Sequence, residues 1–310
     1  MENMIGMWEA SRGQKRPDTG DPFTQSDIVQ GTLPKILEIA EHDIPLANVL
    51  DLSDVILHAE GPGAANGTPW LKSINWLTGT AYRNINALIA TTMDLHGADG
   101  KAISRHIDLR LSGIAPGSLW IGMKIEPPEN GLLPIDDHNP LEVILEQVSK
   151  LPEAIRFIDE EQVLPGINEI FPDPAMRDAE LHALYRLTPS GNQHGIHTVN
   201  ISTQAYSSAA LGNRERVVLK NSLDKPKGVK KHGTFIGKVR EADLDKTRIH
   251  LREVQNVGTI RCVIPEMTAE KSHLGKQVRV NGYYETDAND RPRLLYVEDM
   301  TPVGQENLKF

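Results

Sequence analysis

Alternating hydrophobic and polar residues mark one pair of segments in the first half of the chain. Ile107, Leu109 and Leu111 alternate with polar residues, and the alternation resumes over residues 119–125 after a turn at residues 115–118. Side chains two positions apart on a strand lie on the same face of a sheet. The pattern therefore predicts an antiparallel hairpin with one buried face.

A different period precedes this hairpin. Over residues 69–95 the hydrophobic residues recur every three or four positions, which is the spacing of one face of an α-helix. Thr68 suits the N-cap and Pro69 the first helical position, so the helix is predicted to begin there. The other predicted elements are helices over about 140–162 and 174–187 and strands over 196–202 and 214–220.

The most specific pattern lies at residues 231–303, where five alternating segments are interrupted once by a helix-like segment, 266–275. The order is three strands, one helix and two strands. The side chains predicted to form the interior are Phe235, Val239, Ile249, Leu251, Ile260, Cys262, Ile264, Val278, Val280, Tyr284, Leu295 and Val297. The outward side chains of the first four strands include Lys238, Arg240, Arg248, His250, Arg252, Arg261 and Arg279.

This order and alternation resemble the OB-fold, a five-stranded barrel with a helix between its third and fourth strands. The resemblance covers about residues 230–303 and implies binding of oligonucleotides or oligosaccharides on the face of the second and third strands. On this chain that face contributes Arg248, His250, Arg252 and Arg261. Tyr283 is the outward aromatic residue that is placed to stack on a base.

Two features of the sequence count against nucleic acid as the ligand. The loops after the first and fourth strands are acidic where phosphates would pass, at Glu241, Asp243, Asp245, Asp287 and Asp290. The second and third strands carry no aromatic residue, although stacking contributes about 1–3 kcal/mol per base in single-strand binders. The basic face therefore suits either nucleic acid or an acidic protein surface, including the acidic part of this same chain.

Charge is divided unevenly along the chain, whose net charge is −9. Residues 214–310 hold 19 Lys and Arg against 14 Asp and Glu, which gives +5. Residues 1–213 hold 14 against 28, which gives −14. Opposite signs predict separate roles for the two parts, with the basic part facing an anionic partner.

Together these patterns predict an α+β protein with several domains, because 310 residues are near the upper size of a single core. The expected architecture is an N-terminal domain of a helix plus an antiparallel hairpin, a helical middle region and a C-terminal five-stranded OB-like β-barrel. The predicted boundaries are a flexible arm at 1–24, an α+β domain at 25–130, a mostly helical region at 131–220, a basic linker at 221–232 and the barrel at 233–310.

Composition also limits where the protein acts. No window approaches the roughly 18 apolar residues of a membrane-spanning helix, and the N-terminus lacks the apolar region of a secretory signal. Cys262 is the only cysteine, which excludes an internal disulfide and a four-cysteine zinc site. We therefore expect a cytoplasmic protein that makes no membrane contact. The hairpin at 103–125 offers an edge for oligomerisation.

A glycine-rich turn before the first long helix is a weaker candidate site. Its Gly61, Gly63, Gly67 and Thr68 could hold a phosphate on backbone amides at the start of a helix. The turn lacks both the Lys-Ser/Thr ending of a P-loop and the spacing of a dinucleotide motif. A plain turn before a helix explains it equally simply.

His194 and His197 are spaced so that both could bind one metal ion. Zinc needs three or four ligands, and the sequence identifies no third. The sequence thus favours a non-enzymatic accessory or regulatory binding protein of a larger assembly, without a cofactor. The alternative is a metal- or nucleotide-dependent enzyme that uses the glycine-rich turn or this histidine pair.

Overall fold

A computed structural model describes the chain over residues 34–37, 39–65, 67–127, 139–191, 194–223, 225–228, 230–241, 247–264 and 273–303. The chain divides into two compact units, Met1–Ile44 and Pro45–Phe310. In the first unit the described residues form a helical turn at 34–37 and a π-helical turn at Ile39–Asp43. The sheets and all the longer helices belong to the second unit.

The second unit combines helices with a sheet and a barrel, and its first helix begins at Ile44, the last residue of the first unit. The helices are α1 (Ile44–Leu52), α2 (Leu71–Leu95), α3 (Gly100–His106), α4 (Pro140–Ser149), α5 (Leu151–Ile155), α6 (Ile167–Ile170), α7 (Pro174–Leu187) and α8 (Asn213–Leu223). The strands are β1 (Val55–Glu60), β2 (Asp108–Ala115), β3 (Leu119–Glu126), β4 (Thr198–Ser202), β5 (Lys231–Glu241), β6 (Arg248–Val254), β7 (Gly258–Val263), β8 (Gln277–Thr286) and β9 (Pro292–Pro302). The predicted α+β class is confirmed.

Strands β1 to β4 form an antiparallel sheet in the order β2-β3-β1-β4. Helix α2 packs on this sheet and confirms the long amphipathic helix, but it begins later than the sequence predicts. Trp70 occupies the N-cap position without a side-chain capping bond, so Thr68 and Pro69 precede the helix. Leu77 and Ile85 are fully buried in the core shared with the sheet. Burial of this face stabilises the helix more than its capping residues do.

The hairpin is confirmed as β2 and β3, with one difference on β2. Leu111 is 56 % exposed instead of buried. Leu111 precedes the β-bulge between Leu111 and Gly113 and pairs with buried Met123, so its exposure comes from the position of β2 and not from a shifted register. Strand β2 lies at an edge of the sheet, and bulges at edges hinder pairing with other strands. Oligomerisation through residues 103–125 stays a prediction.

Residues 214–220 belong to helix α8, so the predicted strand is wrong. The adjacent β-branched residues Val217 and Val218 favoured a strand in the sequence. The buried residues of this segment are Glu215, Val218, Leu219, Ser222 and Leu223. That spacing of three and four positions is the face of a helix packed on a core. The predicted linker, 221–232, therefore begins within the last turn of α8.

Strands β5 to β9 close into a barrel in the order β5-β6-β7-β9-β8. Its one parallel pair is β7 with β9. Every side chain predicted to form the interior lies in the barrel's hydrophobic core or packs against it, so the alternation is confirmed. Burial there raises the pKa of the Cys262 thiol to about 12, which makes it unreactive at neutral pH. The closed five-stranded barrel is compatible with an OB-like fold.

Some predicted segments lie outside the described residues. They are the arm at 1–24, the loop at 242–246 and most of the helix-like segment at 266–275. Within the part of the chain that the structure describes, no helix is both long enough and apolar enough to cross a membrane.

Candidate functional site

The outward side chains of the barrel separate into two groups. Arg248 is 2 % exposed, His250 0 % and Arg261 1 %, and the side chain of Arg252 beside them is 23 % exposed. These four residues are named the docked group. The other predicted binding residues lie at partly or fully exposed positions on β5 and β8, and are Lys238, Arg240, Arg279 and Tyr283. The docked group points away from the barrel core, as alternation predicts, but α2 and α7 cover it.

Asp178 on α7 binds two arginines of the docked group. Its Oδ2 accepts hydrogen bonds from Nε of Arg248 at 3.1 Å and from Nε of Arg261 at 2.7 Å. Arg261 also donates to Thr91 on α2 at 3.2 Å. Burial alone would raise the pKa of Asp178, but Arg248 and Arg261 outweigh it and hold the pKa well below its usual range. Asp178 is therefore ionised at neutral pH.

Asp94, in the last turn of α2, binds the other two members of the docked group. Its Oδ2 accepts a hydrogen bond from Nδ1 of His250 at 2.7 Å, and its Oδ1 accepts from Arg252 and, at 2.8 Å, from the backbone of Gly100. An ionised carboxylate only accepts, so Nδ1 carries the imidazole proton. Nε2 of His250 is buried and has no hydrogen-bond partner among the described residues, which fits a neutral ring.

In a third contact the helix supplies the cation and the barrel supplies the carboxylate. Arg177 on α7 donates to Glu285 on β8 at 2.6 Å, and both side chains are at most 5 % exposed. Glu285 also accepts from the backbone amides of Lys227 at 3.1 Å and Gly228 at 2.9 Å, and from the hydroxyl of Tyr296 at 3.0 Å. One carboxylate therefore joins the helix, the barrel and the segment that leads into the barrel.

Helices α2 and α7 share these contacts, and the sequence did not reveal the position of α7. Its buried side chains include Arg177, Asp178, Glu180 and His182. The helical period of α7 was clear, but periodicity does not show which element covers a polar face. The available signal was the charge of −14 before residue 214 and +5 after it. In most of these contacts a basic side chain of the barrel binds an acidic side chain from before residue 214. Arg293 on the barrel, for example, binds Asp173 at 2.7 Å.

The interface between the barrel and these helices is rich in polar contacts. The large core of the sheet and helices and the core of the barrel are separate hydrophobic clusters that share no residue. Within the described part of the chain, no buried hydrophobic cluster spans both. Charge pairs and hydrogen bonds hold the barrel in place together with two buried apolar side chains on the same face, Val263 and Leu294, which pair across strands with Arg248 and Arg261.

The exposed surface of β5 and β8 forms a second region, named the open strip. Its members are His232, Thr234, Ile236, Lys238 and Arg240 on β5 and Gln277, Arg279, Asn281 and Tyr283 on β8. Residues 232–240 cover eight steps of about 3.3 Å, or roughly 26 Å. Tyr283 is 38 % exposed, and Lys230 Nζ lies 4.9 Å from the centre of its ring.

The glycine-rich turn packs against the loop that carries the histidine pair. The amide of Gly63 donates to the carbonyl of Gly195 at 2.7 Å. Gly61 has φ +139°, and an added Cβ would lie 2.5 Å from the same carbonyl. The glycines therefore permit a close approach of two backbones, and the Gly63 amide is already engaged. Gly67 and Thr68 lie at exposed positions beyond this contact.

His194 and His197 lie in that opposing loop. The ring of His194 stacks on Trp76 with centroids 5.4 Å apart, and the amide of His197 donates to the carbonyl of Glu60 at 2.8 Å. Across the residues with a described structure, no three or more His, Cys, Asp or Glu side chains are grouped so that they could hold a metal ion. The glycine-rich turn and the loop with the histidine pair, which are the two candidate enzyme sites, therefore pack against each other.

The buried imidazole predicts a pH dependence of stability. Burial lowers the pKa of His250, opposed by its hydrogen bond to Asp94. The unfolded chain therefore takes up a proton near pH 6.5 before the folded chain does, so stability falls as the pH falls below that value. One such proton changes the free energy of unfolding by at most about 1.4 kcal/mol per pH unit. Burial also lowers the pKa of His58, which adds a loss of the same sign.

We expect the His250→Asn variant, whose amide can still donate to Asp94, to lose less stability than the wild type between pH 7 and pH 5. Urea unfolding at several pH values measures this. Parallel stability curves for the two proteins would show that the imidazole is not held neutral. The low pKa values of Asp94 and Asp178 act below this window, because the stability they provide is lost only as the pH falls through their folded-state pKa values.

Comparison of the chain with family models, with curated proteins and with solved structures finds no match.

Proposed function

We propose that this chain is a non-enzymatic, cytoplasmic accessory protein whose barrel binds single-stranded nucleic acid on the open strip. The observation that supports this most is the combination of exposed cations with an exposed aromatic ring. Lys238, Arg240 and Arg279 have no carboxylate partner within the described residues. Lys230 and Tyr283 lie together at the other end of the strip.

Each part of the open strip has a role in this proposal. The cations contact phosphates and release counterions, which makes the affinity fall as salt rises. Tyr283 offers a ring on which one base stacks, and Ile236, 38 % exposed, offers apolar contact beside Arg279. Thr234 bonds Asn281 and His232 bonds Glu298, so these side chains already have partners and we expect weak sequence preference.

The Arg240→Glu/Arg279→Glu double variant is expected to bind a labelled single-stranded oligonucleotide at least about tenfold more weakly than the wild type. Its plot of log affinity against log salt should be shallower by about 1.4, since each lost phosphate contact removes about 0.7 for single strands. Fluorescence anisotropy across a range of salt concentrations measures both quantities. Tyr283→Ala should weaken binding with little change of that slope, because stacking releases no counterion.

The matched control is Lys124→Glu/Lys220→Glu, which makes the same charge change at exposed positions on β3 and α8. It should lose far less affinity than the open-strip variant. Equal losses would assign binding to net charge alone and remove the open strip as the site. Absence of binding to any single-stranded DNA or RNA at low salt would remove the proposal and leave an acidic protein surface as the partner to test.

A further inference from the structure

The docked group continues the open strip on the same barrel. On β5 and β6, Lys238 pairs with Arg252 and Arg240 pairs with His250. Residues that face one another across antiparallel strands project to the same side of the sheet. The cationic surface of the barrel is therefore continuous, and the helices cover one half of it.

The covered half is held by anions of the same chain. The carboxylates of Asp94 and Asp178 contact all four members of the docked group. Carboxylate and phosphate oxygens make the same kind of charge-assisted hydrogen bond with a guanidinium. The docked group is thus a formed anion-binding surface whose present ligands are two aspartates.

The physical character of the interface makes separation feasible. Separating ion pairs restores the hydration of each charge, so a buried ion pair gives little net stabilisation compared with two hydrated ions. Separating apolar surfaces has no such compensation and opposes the exposure of Val263 and Leu294, although no described hydrophobic cluster spans this interface. Relative motion is the usual expectation for domains in contact unless their interface is large and hydrophobic.

We infer that the docked group is a latent nucleic-acid surface, exposed when the barrel separates from α2 and α7. A strand bound on the open strip then extends onto Arg248, Arg252 and Arg261, and its phosphates replace Asp94 and Asp178. This inference rests on the proposed function of the open strip. Because only the separated fraction of molecules binds in this extended way, the apparent affinity is reduced by that fraction.

Carboxyl footprinting of the full chain tests the inference directly. The protein is treated with a carbodiimide and an amine, with and without an oligodeoxythymidylate of about 20 nucleotides, which exceeds the site of one OB-type barrel. Mass spectrometry then measures the modification of each carboxylate. We expect the oligonucleotide to raise modification of Asp94 and Asp178, both 4 % exposed, at least about threefold.

Glu180 provides the internal control on the same helix. It is fully buried and lies two residues from Asp178, about 200° around the helix. Burial holds the pKa of Glu180 well above its usual value, opposed by the charge of Lys150 at the end of α4. Separation of the barrel should leave Glu180 unmodified, whereas unfolding would expose it. Modification of all three carboxylates together would therefore overturn the inference.

A substitution tests the latent surface independently of the footprint. Asp94→Asn removes a charge that faces the docked group, while its amide oxygen can still accept from Gly100. We expect this variant to bind the oligonucleotide at least about fivefold more tightly than Glu146→Gln, the matched loss of one charge at an exposed position on α4. Equal affinities, with the carboxylates of the wild type unchanged by the oligonucleotide, would overturn the latent surface and leave the open strip in place.

Two other outcomes are also decisive. If neither the wild type nor Asp94→Asn binds the oligonucleotide, the proposed function and this inference both fail. If Asp94→Asn does not fold, the footprint of the wild type decides alone, because it needs no substitution.

Discussion

The Asp178→Asn variant is expected to lose about 3 kcal/mol of its free energy of unfolding, because loss of one partner of a buried ion pair leaves the other charge uncompensated. The new side chain has nearly the same size, so packing changes little. Arg248 and Arg261, which Asp178 contacts, remain buried without its negative charge. Urea unfolding at pH 7, followed by circular dichroism, measures the loss.

Glu146→Gln is the control for this substitution. Its carboxylate is 63 % exposed and pairs with Lys150 four residues away, and such exposed pairs contribute about 0.3–0.5 kcal/mol. A loss of stability for Asp178→Asn no larger than that of Glu146→Gln would contradict the observed burial and pairing of Asp178.

The Glu285→Ala variant is expected to lose about 3–5 kcal/mol, comparable to breaking other buried ion pairs. The substitution removes the partner of Arg177 and the acceptor for the amides of Lys227 and Gly228. Those two amides also lose an acceptor, which adds a smaller cost because Lys227 is half-buried and Gly228 is exposed. Thermal and urea unfolding of the full chain measure the loss.

Two further variants distinguish loss of the charge of Glu285 from loss of its hydrogen-bond acceptors and from the effect of an exposed carboxylate. Glu285→Gln keeps an acceptor oxygen but loses the charge, so its stability should lie between those of the wild type and Glu285→Ala. Glu298→Ala is the exposed control on β9, where the carboxylate is 47 % exposed and bonds His232 at 3.0 Å. We expect a change of at most about 1 kcal/mol there. Equal losses for Glu285→Ala and Glu298→Ala would show that Glu285 does not join the helix to the barrel.

The interior of the barrel could be predicted from sequence because it depends on one local rule. Each strand alternates, and the side chains from Phe235 to Val297 that this rule selects all pack in one core. The rule fails on β2, where Leu111 pairs with buried Met123 but is exposed because β2 is an edge strand. It also fails at Val217 and Val218, whose β-branched side chains favour a strand although the core selects a helical face.

The covering of the docked group could not be predicted, because it depends on contacts between residues far apart in the chain. Arg248 and Asp178 are separated by 70 positions, and Arg261 and Thr91 by 170. Alternation shows that Arg248 points outward from the barrel but not whether water or another element lies there. The opposite charges of the two parts of the chain were compatible with an external partner and with self-association. The distinction required the packing of α7.

A double-mutant cycle between Asp178 and Arg261, whose Oδ2 and Nε atoms lie 2.7 Å apart, tests the docking of the barrel on α7 most directly. The free energy of unfolding is measured for the wild type, Asp178→Asn, Arg261→Gln and the double variant. If the barrel is docked on α7 through this pair, the double variant should lose at least about 1.5 kcal/mol less than the sum of the two single losses. That difference is within the range for contacting residues. Additivity within about 0.5 kcal/mol, as for distant sites, would contradict the docking of the barrel on α7.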